Sequence, residues 1–305
     1  KHSDELVAVE SKDNGKPEWL ARSVDIPRAP ENFRFFATAI LHFNSEIYEM
    51  DGRALNYTLR QPIGVAGCIS PWNLPLYLLT WKVAPALAAG NTVVAKPSEV
   101  TPMTAFIFSK ICQKAGLPKG ILNIVHGTGE KAGDALTRHP DVPIISFTGG
   151  TETGGKIAAA TAPFFKKLSL EMGGKNPNIV FSDAEFDSAV EMAVKASFSN
   201  QGQICLSGSR LFVQEDIYDK FMERVVARTK AIVQTSPYST DCMVGAQASN
   251  DQYEKIQSYI KIGKEEGAKV LCGGDANKEG DLGNGFFIQP TILEGHNKMR
   301  VFQEE

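Results

Sequence analysis

Two periodicities alternate along most of this chain. Short apolar runs at residues 64–69, 92–95, 121–125, 143–147, 178–181, 211–213 and 269–272 have the length and β-branched content of buried strands. Between them lie segments whose apolar residues recur every three or four positions, which predicts helices. One runs through Trp81 to Ala89 and stops at Gly90. Another starts at Thr101 and Pro102, as N-cap and first helical residue, and stops at Gly116. Residues 130–137, a stretch to Ala160, and residues 186–199, 218–233 and 252–266 read the same way. Strands separated by helices imply βαβ units, a parallel sheet and right-handed crossovers.

The N-terminal part has its own pattern. Residues 1–9 read as the inside of a helix, with no starting signal. Residues 25–28 read as a turn presenting an arginine. Phe33, Phe36, Ala37, Ile40, Phe43 and Ile47 predict a helix over 30–50. Alternating Leu55, Tyr57 and Leu59 predict a strand or hairpin arm over 54–61. The pattern breaks near Gly173-Gly174 and resumes, which places a domain boundary there.

Composition narrows the class. At 305 residues, 43% hydrophobic and 22% charged, the chain is of ordinary globular composition and long enough for two domains. A net charge of −3 gives no reason to expect nucleic acid or an anionic membrane as partner. No apolar run reaches the roughly 20 residues that span a bilayer. The five cysteines form no disulfide or metal spacing, which fits a reducing compartment such as the cytoplasm, and the five histidines are scattered, so no metal site is expected. Both ends read as cut: the first helix lacks a start, and the chain stops just past Val301 and Phe302.

Several residues can carry chemistry, each with a plainer alternative. Cys205 lies between Gly202 and Gly208 where a helix gives way to a strand, a place for an exposed nucleophile or for a small buried apolar residue. Gly149, Gly150, Gly154 and Gly155 lie between a strand and a helix, where backbone N–H groups can approach a phosphate or simply turn the chain. Lys96 and Glu99 follow a strand's carboxyl end, where ligands of open α/β sheets bind; Glu99 suits ribose hydroxyls, or the two form a solvated pair. Asn73, in a rigid Pro-Trp-Asn-Leu-Pro loop, can donate to an oxyanion or cap its own turn. Trp72 adds one indole donor. Glu171, between Leu170 and Met172, is either a base with a raised pKa in an apolar setting or a solvated acid.

Five segments carry a resemblance: Ser-Pro-Trp-Asn-Leu-Pro (70–75), Ala-Lys-Pro-Ser-Glu (95–99), Phe-Thr-Gly-Gly-Thr (147–151), Leu-Glu-Met-Gly-Gly-Lys-Asn-Pro (170–177) and Asn-Gln-Gly-Gln-Ile-Cys (200–205). In order and spacing they resemble the NAD(P)-dependent aldehyde dehydrogenase superfamily over essentially the whole chain. The resemblance implies an α/β fold. A Rossmann-type cofactor domain would span 1–42 and 63–173, an oligomerisation arm 43–62 and an α/β catalytic domain 174–305. It implies Cys205 as nucleophile, Asn73 and the Cys205 N–H as oxyanion hole, and Glu171 as the base that activates water. Members that pass the acyl group to coenzyme A tend to lack this glutamate. It implies NAD as cofactor, contacted by Ile69, Trp72, Lys96, Ser98, Glu99, Gly149, Gly150, Thr151, Met172 and Glu305. A homodimer or homotetramer acting on a small aldehyde would follow.

Within the superfamily, residues 21–28, 32–36 and 69–81 are most similar to the 2-aminomuconic semialdehyde dehydrogenase group. There an arginine matching Arg28 contacts the substrate carboxylate, which a planar guanidinium suits. Arg28 can instead be a structural residue tied to Asp25 or Glu31. Other aldehydes (retinal, betaine aldehyde) and a non-catalytic, crystallin-like role on the same scaffold are the alternatives.

Overall fold

A computed structural model describes residues 1–304. In chain order it has α1 (Ser3–Asn14), α2 (Glu18–Leu20), a π-turn (Ala21–Asp25) and α3 (Ile26–Ala39). The hairpin β1 (Ile47–Met50) and β2 (Ala54–Tyr57) follows. Next come β3 (Val65–Ile69), α4 (Pro75–Ala88), β4 (Thr92–Lys96), α5 (Met103–Lys114), β5 (Leu122–Ile124), α6 (Asp134–Arg138), β6 (Ile144–Gly149), α7 (Thr151–Thr161) and β7 (Lys167–Met172). The remainder holds β8 (Pro177–Val180), α8 (Phe186–Phe198), β9 (Arg210–Val213), α9 (Tyr218–Lys230), α10 (Asn250–Glu265), β10 (Lys269–Cys272), β11 (Ile292–Glu294) and α11 (Arg300–Gln303).

The chain divides into two compact units, Ser23–Glu171 and Lys1–Arg22 with Met172–Glu305. The first is built on a five-stranded sheet in the order β5-β4-β3-β6-β7, with β3, β4, β5 and β6 parallel. Its two faces are separated by strand alternation. Ala66, Cys68, Val93 and Ala95 face Leu79 and Val83 of α4 and Ala105 of α5. Ile69, Ile145 and Phe147 face Leu136 of α6 and Ile157 of α7. Apolar residues fill both faces, as a parallel sheet covered by helices on each side requires. The order reverses at β3, so the crevice beyond the carboxyl ends of β3 and β6 is the place where such sheets take a ligand.

The second unit pairs β8 with β9 in parallel and β10 with β11 antiparallel. Its core joins Val190, Ala193 and Val194 of α8 to Phe221 and Val225 of α9 under Val180. Residues 1–22, assigned from the sequence to the cofactor domain, pack here instead. Their backbone and side chains bond within the unit: Glu18 N–H to the Pro237 carbonyl at 3.0 Å, Trp19 Nε1 to the Cys242 carbonyl at 2.6 Å, and Ala246 N–H to the Gly15 carbonyl at 3.1 Å. Lys16 and Glu10, both fully buried, lie 3.9 Å apart in the same segment.

Three local expectations are corrected. Residues 25–28 are not a turn but continuous helix, with Pro27 in the first turn of α3, a position that costs proline no hydrogen bond. The helix expected over 30–50 ends at Ala39, with one 3₁₀ turn to His42, and Phe43 is extended. Ile40, Phe43 and Ile47 have helical spacing but are exposed, so no core rewards that helix, and pairing of Ile47 with Tyr57 claims the backbone for the hairpin. The helix expected from Thr101 starts at Met103, because Pro102, not Thr101, is the residue flanking it. Among the described residues no helix is long and apolar enough to cross a membrane, and no cluster of three metal-ligating side chains occurs.

Candidate active site

In the unit Ser23–Glu171 the register of the sheet sets the site. Ile69 at the end of β3 lies beside Lys96 at the end of β4 and Phe147 of β6. The segments that leave these strands, 70–74, 97–102 and 149–151, therefore open on one edge. They are held to the sheet and to one another: Ser70 N–H donates to the Lys96 carbonyl at 3.1 Å, and Thr101 Oγ1 to the Trp72 carbonyl at 3.2 Å. Trp72 and Asn73 are half-buried in the first of these loops, and Pro75 then starts α4.

Lys96 is 3% exposed, yet its Nζ is 2.7 Å from Glu99 Oε2. The other carboxylate oxygen accepts the Gly129 N–H at 3.0 Å. Burial pushes the Glu99 carboxyl up, but hydrogen bonds from Lys96, its own backbone and Gly129 outweigh it and hold the group below the ordinary carboxylate range. The result is a fixed anion beside a fixed cation, and a diol fits it by donating to Glu99 and accepting from Lys96. Ser98, buried, accepts the Val100 N–H through Oγ at 3.2 Å.

Gly150 precedes the first helical residue of α7, Thr151, so the free N–H groups of this 11-residue helix face the same edge. The Thr148 hydroxyl, buried just before them, has no hydrogen-bond partner among the described residues. A buried hydroxyl beside a helix N-terminus and a diol-shaped ion pair fit a dinucleotide. Gly149 has a packing reason as well: a Cβ there would stand 2.5 Å from Cζ of buried Phe147. Gly149→Ala should cost about 1–3 kcal/mol of stability by overpacking, read as a lowered Tm.

Glu171 corrects an expectation. Strand alternation turns Leu170 into the core and leaves Glu171 exposed at the end of β7, so its sequence neighbours do not give it an apolar setting. Its electrostatic partner is one that sequence reading missed. Lys82, on α4 and 5% exposed, donates to Ser146 Oγ at 3.3 Å. Burial pushes the Lys82 ammonium below its ordinary range, and the charges of Glu171 and Cys68 pull it back up. Nothing in the spacing around Trp81-Lys82 separates this residue from a solvated lysine.

Arg28, in the first turn of α3, has a side chain 42% exposed. It stacks 5.2 Å from the centre of the Tyr77 ring, with Nη2 3.4 Å from the Tyr77 hydroxyl and Nη1 3.4 Å from Glu31 Oε2. The Tyr77 contact, then Glu31, raises its pKa further, so it is a permanent cation. Asn32 ties α3 to α4 through the Tyr77 carbonyl at 3.3 Å and Thr80 Oγ1 at 3.0 Å, which places Arg28 over Tyr77.

Cys205 and Met172 belong to the other unit. Met172 ends β7 and is exposed. Cys205 is half-buried at the corner of a turn closed by the Ser207 N–H on the Ile204 carbonyl at 2.9 Å. Before it, Asn200, Gln201 and Gly202 take left-handed backbone at φ of 51°, 58° and 73°. For the two side-chain-bearing residues that costs on the order of 1–2 kcal/mol each. Side-chain amides hold the strained run: Asn200 Nδ2 donates to the Gln203 carbonyl at 3.2 Å and Gln201 Nε2 to the Ala246 carbonyl at 3.0 Å. Gln203 Oε1 accepts the Ala248 N–H at 3.2 Å. Sequence reading missed these glutamines as positioning groups, because their partners lie more than forty residues away.

The remaining thiols are poor nucleophiles. Burial pushes Cys68 up to about 12 and Cys112 up to about 11, and raises Cys242 and Cys272 as well. Glu305, expected at the cofactor, lies outside the described residues.

The aldehyde dehydrogenase family model matches residues 1–305. A 2-aminomuconic semialdehyde dehydrogenase from Danio rerio is 50% identical over 308 residues, covering 99% of this chain and 63% of its own. Acetaldehyde dehydrogenase 2 from Cupriavidus necator is 45% identical over 307 residues, 98% of this chain and 60% of its own. The crystal structure of PnpE, a protein of Pseudomonas sp. WBC-3, in complex with nicotinamide adenine dinucleotide superposes with a TM-score of 0.97 at 43% identity, covering all of this chain and 62% of that one. The chain thus spans about 60% of the length of the relatives it matches.

Proposed function

Because this chain belongs to the aldehyde dehydrogenase family, we propose that the whole protein oxidises an aldehyde to the carboxylic acid with NAD, through a thioester on Cys205. The observation that carries the reading is the placement of Cys205: a half-buried thiol at the corner of a turn whose approach is strained and clamped. Such a thiol is held for attack, whereas the other four sit in burial that keeps them protonated.

The thiolate adds to the aldehyde carbon and forms a thiohemiacetal. Asn73 and the Cys205 N–H donate to the oxygen as it gains charge, which a positioned amide does without reorganising. Bound NAD supplies the acceptor for the hydride that leaves this carbon. Lys96 and Glu99 hold the adenosine ribose, Ser98, Ile69 and Trp72 line its approach, and Gly149, Gly150 and Thr151 present N–H groups to the pyrophosphate. Met172 and Glu305 complete the cofactor contacts in this reading. Glu171 takes a proton from water so that it attacks the thioester, and the acid leaves with Cys205 restored. The exposure of Glu171 at a strand end suits a group that must meet solvent water.

For substrate we propose a small carboxylated semialdehyde of the 2-aminomuconate kind, which places the protein in tryptophan catabolism by the kynurenine route. The support is Arg28, a permanent cation with its side chain part-exposed. Arg28→Ala should raise KM for carboxylated aldehydes by about 10–100-fold, the loss of a charge-assisted pair, and leave KM for propanal within about twofold. Equal effects on both would remove the carboxylate role. The contacts of Arg28 to Glu31 and Tyr77 favour a second reading, in which it braces α3 and the substrate is an uncharged aldehyde or betaine aldehyde. A panel of aldehydes on the full-length protein separates the two. Retention of Cys205, Glu171, Asn73 and Lys96 together argues against a non-catalytic, crystallin-like role. In the same reading the exposed apolar hairpin β1–β2, with Ile47, Tyr48, Met50, Leu55 and Tyr57 on its surface, is the arm through which a cytoplasmic homodimer or homotetramer assembles.

A further inference from the structure

The turn that carries Cys205 is gripped from the side by a residue with no part in the reaction as described. Asn176, in the segment leading into β8, donates through Nδ2 to the Cys205 carbonyl at 2.6 Å and to the Ser207 carbonyl at 3.0 Å. Both protons of one amide are thereby used on one turn. The backbone of the same residue joins in: its carbonyl accepts the Arg210 N–H at 3.1 Å, and Arg210 Nε donates to the Lys175 carbonyl at 2.9 Å. On the far side the Gly208 N–H bonds to the Ala196 carbonyl of α8 at 3.2 Å, and the turn is closed by Ser207 to Ile204 at 2.9 Å. Within this unit, the orientation of the Cys205 peptide plane is thus set from the segment that leads into β8 as well as from its own turn.

We infer that Asn176 is a positioning residue that aims the Cys205 thiol, by fixing the carbonyls of Cys205 and Ser207 so that the Cα–Cβ bond of Cys205 keeps one direction. The inference rests on Cys205 being the nucleophile. The physical reasoning is that a carbonyl in a turn corner is free to rotate unless something outside the turn holds it. Rotation of that plane changes ψ of Cys205, and with it the line along which the sulfur meets an electrophile. The neighbour at the corner, Leu206, is largely exposed and gives no packing that would do the same work. Only a side chain with two donors on one atom serves both carbonyls. Aspartate has the shape of asparagine but offers acceptors to acceptors, and serine is too short to span both.

The test uses the full-length protein and compares wild type, Asn176→Asp, Asn176→Ser and Cys205→Ala. Two quantities are read: the NADH burst with an excess of propanal, and the pseudo-first-order rate at which iodoacetamide alkylates Cys205, followed by peptide mass. Misaiming a reacting atom by about an ångström costs on the order of 100-fold in rate. The burst rate should therefore fall about 10–100-fold in N176D and N176S. KM for NAD should stay within about twofold, since no cofactor contact is altered, and circular dichroism should stay native. A merely structural role would lower Tm without separating the burst rate from KM. Wild-type burst and alkylation rates in both folded variants would overturn the inference. If N176D fails to fold, N176S, which keeps a small polar side chain beside the turn, decides the question. The underlying reading fails differently: a burst that survives in Cys205→Ala rejects Cys205 as nucleophile, while the alkylation rates still report whether Asn176 orients the thiol.

Discussion

Replacing Cys205 with alanine should abolish aldehyde-dependent NADH formation, a loss of at least about 10⁴-fold, while NAD binding stays within about twofold of wild type. The asymmetry follows from where the groups sit. The proposed cofactor contacts lie chiefly at the carboxyl edge of the sheet in residues 23–171, where Lys96, Glu99 and the N-terminus of α7 are held by bonds that do not involve residue 205. The thiol itself lies in a turn fixed by its own backbone and by Asn176. Removing one sulfur leaves the backbone bonds of that turn and the Asn176 amide in place. No other cysteine can substitute, because burial keeps Cys68 and Cys112 protonated far above neutral pH. Steady-state NADH formation by Cys205→Ala above this residual would reject a thioester route. Loss of NAD affinity in parallel, followed by tryptophan fluorescence quenching, would show that the turn and the cofactor site are coupled.

Glu171→Gln should separate the two halves of the reaction. The expected trace is a burst of one NADH per competent site, then a steady rate lowered about 10²–10⁴-fold, the usual worth of a general base. Glutamine keeps the length and shape of glutamate at the end of β7 but cannot take a proton from water, so acylation proceeds and the thioester persists. The trapped acyl group is then visible on Cys205 by intact mass, and hydroxylamine, which needs no base, should release it. A full steady-state rate in Glu171→Gln would remove Glu171 as the base. Loss of the burst along with the steady rate would place Glu171 in thiol activation instead. Lys82 enters here through its charge: because the Glu171 carboxylate raises the Lys82 pKa, neutralising residue 171 should leave Lys82 with burial less opposed.

Much of the fold was legible because it rests on short-range patterns. The runs at 64–69, 92–95 and 143–147 appear as β3, β4 and β6, and the helices between them end at Gly90 and Gly116, both with positive φ. Parallel strands buried on both faces write themselves as continuous apolar runs. The failures are equally specific. The helix expected over 30–50 used Phe43 and Ile47, whose spacing suits a helix but whose partner is β2, and strand pairing across a turn leaves no mark in a helical period. The neighbours of the N-terminal 22 residues leave no local pattern, because Glu18 and Trp19 donate to carbonyls of residues 237 and 242, and the Gly15 carbonyl accepts from Ala246, across more than two hundred positions.

For the site, Cys205, Asn73, Lys96, Glu99 and the glycines at 149–150 stand in the sequence as motifs, and the resemblance these carry implies the roles proposed for them. The sequence by itself also determined the alternation of strands and helices, hence a parallel sheet with a ligand edge, since backbone geometry obliges that connection to place its loops together. Tertiary structure alone decided which groups bear on which. It exposed Glu171, because a strand's alternation acts on the sheet and not on the sequence neighbours, and it buried Lys82 of α4 beside Ser146. It paired Lys96 with one carboxylate oxygen of Glu99 and the Gly129 N–H with the other. It set the amide of Asn176 on the carbonyls of Cys205 and Ser207 across about thirty residues. Hydrogen bonds and burial depend on distance in space, and a chain folded into a sheet brings together residues that no local pattern relates.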